Sequence, residues 1–197
     1  MEFSYNSRSE EMEVILPGST RGIESEFIQA VYRGAIERER SALAINYLFH
    51  EKLAKKGFGE EVTEEANSLE AALEFCRADG YKKIRIIGKS LGGVVAGEFL
   101  KSLSKGEQGK FELAILGYDL GWINIKDFTG KILIIQGSDD PFGGIDLVKK
   151  DMEGAASTEV EYKEIKGADH GFRDPKSAKP VYVPEVINHL YNQKDKQ

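Results

Sequence analysis

The chain has 197 residues, 41% hydrophobic and 30% charged, with a formal net charge of -6 and a single cysteine, Cys76. That length suits one domain, residues 1–197, with enough apolar content for a core. The acidic balance, with no basic stripe, argues against a nucleic-acid partner; one cysteine excludes an intramolecular disulfide; and no run approaches the ~18 apolar residues that a membrane span needs.

Residues 1–5 have neither a basic start nor an apolar signal core, so with one cysteine the sequence predicts a cytoplasmic location. A short strand near Phe3–Tyr5 is expected to pair as a hairpin with the strand Glu13-Val14-Ile15-Leu16, which ends at Pro17-Gly18. Apolar spacing predicts a helix over 24–38, from Phe27, Ile28, Val31, Ala35 and Ile36. A strand is read over 41–49. A helix over 62–78 buries Leu69, Ala72, Leu73 and Cys76, with Thr63 as its cap and Gly80 beyond its end. The strand 83–87 and helix 91–103 follow, then apolar strands at 112–116 and 131–136 and a helix at 144–152. A strand at 159–165 alternates, and a helix over 184–192 packs through Val186, Ile187, Leu190 and Tyr191. Residues 193–197 read as a frayed end. The lysines at 149–150 and 52–56 read as solvated helix faces. Strands alternating with helices predict an α/β fold, a mostly parallel central sheet with helices on both faces.

The chemistry concentrates at Gly88-Lys89-Ser90-Leu91-Gly92-Gly93, between the strand ending at Ile87 and the helix that follows. A Gly-x-Ser-x-Gly turn in that position lifts a serine hydroxyl out of the sheet as a nucleophile. The next helix aims its first N–H groups at negative charge developing beside Ser90. An activated serine needs a base and an orienter for that base. Candidates follow two later strands: Asp139 or Asp140 in Gly137-Ser138-Asp139-Asp140-Pro141-Phe142, and His170 in Gly167-Ala168-Asp169-His170-Gly171-Phe172. In a parallel sheet the C-terminal strand ends gather at one edge, so Ser90, one of the aspartates and His170 are expected to converge. His170 suits the base because imidazole titrates near neutrality. The oxyanion donors are assigned to the backbone N–H groups of Leu91 and, in the loop after residue 16, Ser19.

These residues resemble the α/β-hydrolase superfamily over most of the chain. The likeness is to its small lidless branch, with dienelactone-hydrolase-like and testis-expressed-type hydrolases. The segment from Gln136 to Gly143 is similar to that branch's acid loop, and the resemblance implies Asp140 as the acid. Ala168-Asp169-His170 is similar to its histidine loop. Two features depart. Dienelactone hydrolases carry a cysteine nucleophile where this chain has Ser90, and Pro17-Gly18-Ser19-Thr20 replaces the His-Gly or glycine run of many esterases. The segment 117–130 is too short for the family's helical cap, which implies an open site; Tyr118, Asp119 and Trp122, just past the strand end, are placed to line it, and the alternative for Trp122 is a cover over the core edge.

The other polar residues have ordinary readings. Lys89 reads as a solvated side chain beside the nucleophile. Asp169 reads as a loop hydrogen bonder. The second aspartate of the 139/140 pair is expected to cap a helix or bond loop N–H groups. His50 and His189 read as structural, and Cys76 as packed core. No metal-ligand spacing or phosphate loop occurs, so neither metal nor cofactor is expected. The expected partner is a small-molecule substrate, and an exposed edge strand fits a monomer or a homodimer. The leading expectation is a serine hydrolase acting on a small or exposed ester, thioester or amide; the alternatives are a non-catalytic binding module on the same fold, or an acyltransferase.

Overall fold

The structure is a computed structural model that describes residues 1–53, 56 and 61–191. Its strands are β1 (Glu2–Ser4), β2 (Glu11–Leu16), β3 (Ser41–Ala44), β4 (Lys83–Lys89), β5 (Phe111–Leu116), β6 (Ile132–Gly137) and β7 (Val160–Ile165). They form one sheet in the order β1-β3-β2-β4-β5-β6-β7. All neighbours from β3 to β7 are parallel, and β1 runs antiparallel to β3. The helices are α1 (Glu26–Ile36), α2 (Leu48–Glu51), α3 (Thr63–Phe75), α4 (Leu91–Ser102), α5 (Lys105–Gln108), α6 (Ile145–Asp151) and α7 (Val183–Tyr191).

Side chains alternate across a strand, so each central strand feeds two cores. Val14, Ile86, Ile115 and Ile134 face α3, α4 and α6, where Leu69, Phe99 and Val148 meet them. Ile15, Ile87, Leu116 and Ile135 face α1 and α7, meeting Val31, Val186 and Leu190. Helices on both faces of a mostly parallel sheet are the architecture that the alternation of elements predicts.

Several local expectations change. The first strand pairs with β3, not with β2, because β3 and β4 occupy the two edges of β2. The strand expected over 41–49 stops at Ala44, and Leu48–Glu51 is helical. Polar side chains redirect the backbone there: Asn46 Oδ1 accepts from the Ile23 N–H at 2.8 Å, and His50 Nδ1 from the Tyr47 N–H at 3.3 Å. Thr63 does not cap α3; Val62 holds the cap position without a side-chain bond. Helix α5 was not expected, although Ser104 and Glu107 form a reciprocal capping box, a pattern visible in sequence. Lys55 of the 52–56 cluster and the frayed end at 193–197 lie outside the described residues.

The α1/α7 side also carries a buried ionic knot. Glu13 is fully buried on β2 and receives two bonds of 2.8 Å from Arg85 on β4, besides an ion pair with Arg40. Arg85 also donates to the Leu190 carbonyl of α7 at 2.9 Å and lies 5.2 Å from the centre of the Tyr191 ring. Removing one partner strands a buried charge. Glu13→Gln is therefore expected to cost about 3–5 kcal/mol in urea denaturation. Lys82→Ala, which removes the exposed pair with Glu10, should cost less than about 1 kcal/mol.

Candidate active site

Ser90 joins β4 to α4 with φ 50 and ψ -115. That backbone is strained for a residue with a side chain, by roughly 1–3 kcal/mol. Two glycines make it attainable. A Cβ at Gly88 would lie 2.6 Å from the backbone of Gly92, and one at Gly92 would lie 2.4 Å from the Leu16 carbonyl oxygen. The turn is thus held against β2 by contacts that no other residue type allows. The Ser90 N–H donates to the Leu116 carbonyl of β5 at 3.1 Å, which anchors the turn on its other side.

His170 follows β7 and Asp140 follows β6, so the parallel order delivers both to the edge where Ser90 stands. The two loops are laced together. The Asp139 N–H donates to the Ala168 carbonyl at 3.0 Å and the Gly167 N–H to Ser138 Oγ at 2.8 Å. His170 Nδ1 lies 2.7 Å from Asp140 Oδ2. Asp140 is buried, and its carboxylate accepts from Gln136 Nε2 at 3.0 Å and from the Phe142 N–H at 2.9 Å. An acceptor at Nδ1 fixes the tautomer: Nδ1 carries the proton and donates, which leaves a lone pair on Nε2 of neutral His170. The Phe142 ring meets the imidazole edge-on, with centroids 4.8 Å apart.

Asp139 is exposed and accepts from Ser138 Oγ at 2.8 Å, and it caps no helix, since Gly144 stands at the start of α6. Asp169 bonds its own loop, accepting from the Gly171 and Arg173 N–H groups at 2.7 and 2.8 Å. Leu91 is the first residue of α4, where an N–H has no partner within the helix. Ser19 lies in the turn after β2, next to Gly18, whose Cβ position is 3.7 Å from Ser90 Cβ. Tyr118 is not placed to line a pocket. It is fully buried in the core and its hydroxyl donates to Asp151 of α6 at 2.6 Å, because the chain turns inward at Gly117, φ +72. Trp122 is 46% exposed. Among the described residues, the segment 117–130 contains turns and no helix.

Three residues have larger roles than their sequence setting shows. Asp119, just past β5, is 1% exposed, and its Oδ2 accepts from Ser90 Oγ at 2.8 Å. Its Oδ1 lies 3.5 Å from His170 Nε2. Gln136 is fully buried and ties Asp140 to the β5 loop, accepting from the Tyr118 N–H at 2.6 Å. Lys89 is buried, not solvated, and its Nζ has no hydrogen-bond partner. It lies beside Gly117, whose Cβ position is 2.9 Å from Nζ and 3.0 Å from His170 Cε1. Burial pulls its pKa down from 10.5 to about 8, against the opposing pull of Asp119 and Asp140.

His50 has a structural part that touches the site. Its Nδ1 accepts from the Tyr47 N–H, so Nε2 carries the proton and donates to the Gly18 carbonyl at 2.9 Å. Gly18 C=O and Ser19 N–H belong to one planar trans peptide and point in opposite directions. His50 therefore fixes the direction of the Ser19 N–H. Burial lowers the His50 pKa below 6.5.

A family model described as an alpha/beta hydrolase domain matches residues 10–193. The chain belongs to that family. Solved structures share the fold at low identity. An alpha-beta serine hydrolase homologue from Coxiella burnetii superposes with a TM-score of 0.69 at 15% identity, covering 95% of this chain and 89% of the other. Est1E from Butyrivibrio proteoclasticus, solved with ferulic acid bound, gives 0.70 at 15% identity, covering 97% and 92%. An esterase from Pyrococcus furiosus gives 0.67 at 16% identity, covering 95% and 84%. A search of curated proteins returned no match. Among the described residues no helix is long and apolar enough to cross a membrane.

Burial of Lys89 and His50 makes stability depend on pH. Lys89 holds its proton less well when folded than when unfolded, so its charge burdens the fold below about pH 8 and the burden fades toward 10.5. Lys89→Met should add roughly 2–3 kcal/mol at pH 7, a gain that shrinks across that window in urea denaturation. His50 is favoured neutral by the fold, so its contribution is complete above 6.5 and is lost as pH falls through its lowered folded value. Wild type should lose more Tm between pH 7 and about 5 than His50→Gln, which does not titrate.

Proposed function

We propose that this protein is a serine hydrolase that cleaves a small or exposed ester, thioester or amide through an acyl-enzyme on Ser90. The observation that carries the reading is the 2.7 Å His170–Asp140 bond beside a serine held at φ 50 on the strand-to-helix turn. Family membership and the esterases that share the fold support it. The roles follow from the bonds. Ser90 Oγ attacks the acyl carbonyl, and its proton passes to the lone pair on His170 Nε2. Asp140, fixed by Gln136, holds the imidazole and stabilises its cation. The Leu91 and Ser19 N–H groups receive the oxyanion. His170 then protonates the leaving group. Water attacks the acyl-enzyme by the same route, giving the acid and free Ser90.

Trp122, exposed just beyond β5, is the aromatic we assign to contact a bound acyl or leaving group, on the strength of its position after that strand. One observation favours a non-catalytic binding module: Ser90 donates to Asp119 and not to His170. The same assay separates the two readings. Turnover of p-nitrophenyl acetate and labelling by a fluorophosphonate are expected in wild type and absent in Ser90→Ala. Asp140→Asn should lower kcat by roughly 10³–10⁴-fold, while Asp139→Asn leaves it within a few-fold. Labelling of wild type that survives in Ser90→Ala, or its absence in both, would count against the hydrolase. The reverse order of the two aspartate variants would reassign the acid.

A further inference from the structure

The Ser90 hydroxyl has one proton and can donate it to one acceptor at a time. It is given to Asp119 Oδ2 at 2.8 Å. His170 Nε2, the atom that must receive this proton during attack, is buried without a hydrogen-bond partner, as is Asp119 Oδ1. Those two atoms face each other across 3.5 Å. The carboxylate therefore stands between nucleophile and base, one oxygen toward each.

We propose that Asp119 is a restraining residue: it holds Ser90 in a resting hydrogen bond, and the serine must leave Asp119 before it can reach His170 and attack. The proposal rests on Ser90 being the nucleophile of a hydrolase. Three features of the site argue for restraint over assistance. A hydrogen bond to a carboxylate is stronger than one to a neutral imidazole, so the resting partner is the favoured one. A full negative charge 2.8 Å from Oγ opposes the second negative charge that develops on the tetrahedral oxyanion close by. Finally, a carboxylate that has taken the serine proton on Oδ2 has none on Oδ1 to pass to His170, so Asp119 does not complete a relay as it stands. The buried Lys89 ammonium, next to Gly117, offsets part of the charge of Asp119 and Asp140, although burial outweighs that attraction. Arg173 pairs with Asp169 and is committed there.

The test is the rate at which a fluorophosphonate labels Ser90. Oγ forms the bond to phosphorus, fluoride leaves, and the hydroxyl proton goes to His170 Nε2. Releasing one charge-assisted hydrogen bond should speed labelling by roughly ten- to a hundredfold. Asp119→Ala should show the full gain. Asp119→Asn, which keeps the shape and a weaker neutral acceptor, should show part of it. A purely structural role cannot give this result, since damage to the site slows labelling. The gain should disappear when His170→Ala is added. Rates equal to or below wild type in both variants, with unchanged circular dichroism and Tm, would overturn the restraint while leaving wild-type labelling, and so the hydrolase, intact. A gain that survives His170→Ala would overturn it too. No labelling of wild type or of any folded variant would remove the nucleophile and the restraint together. If neither variant folds, a crystal structure of the wild type decides: Oγ on Asp119 supports the restraint, and Oγ within hydrogen-bond distance of His170 Nε2 instead overturns it.

Discussion

Everything at this site depends on how closely the turn after β4 packs against the end of β2. With no Cβ at Gly92, the first turn of α4 rests on the Leu16 carbonyl; with none at Gly88, the strand passes directly under the helix. That contact keeps Ser90 in a backbone conformation it would not choose alone, and the Ser90–Leu116 backbone bond holds it from the β5 side. The same closeness brings Gly18 to the flank of the serine. The Ser90 turn and the Gly18-Ser19 loop are therefore a single packing unit, and neither can be adjusted without moving the other.

The parallel register does the rest. Because β6 pairs with β7 from Ile132↔Val160 to Gly137↔Ile165, the loops that carry Asp140 and His170 leave the sheet side by side. The loops then bond to each other before either reaches Ser90. Asp140 is supported from below by Gln136, a strand residue, so its carboxylate is set by the sheet itself and not by loop conformation alone. Burying the Lys89 ammonium beside this turn lowers stability, a cost of the kind that functional sites commonly carry.

Much of this was legible in the chain. The glycines at 88 and 92, the strand before them and the helix after them are local chemistry, and local chemistry is what a sequence displays. The mostly parallel sheet with helices on both faces followed from the alternation of elements, since each central strand offers apolar residues to both sides. The misreadings share a different cause. The run 41–49 was apolar enough for a strand, but contacts from Asn46 and His50 to backbone distant or adjacent decided its path. The first strand found a partner that only the tertiary order of the sheet could supply. Lys89 and Asp119 are polar residues beside a turn, and no spacing reveals that both are buried. Tyr118 stood next to the site in sequence, yet the turn at Gly117 sent its ring into the core.

The knot of Glu13 and Arg85 has a consequence away from its own surroundings. The histidine loop spans from the end of β7 at Ile165 to the start of α7 at Val183, a long connection with the sheet holding one end. The other end is held by α7, and Arg85 grips α7 by the carbonyl of Leu190, while the Tyr191 hydroxyl reaches the Val31 carbonyl of α1. Phe172, stacked on Phe27 of α1, pins the middle. A chain with one thiol has no covalent means of closing such a loop. Here a guanidinium performs the office of a crosslink: it shortens the free contour of the segment that carries His170. Because that clamp is buried, salt in the surrounding solution does little to loosen it.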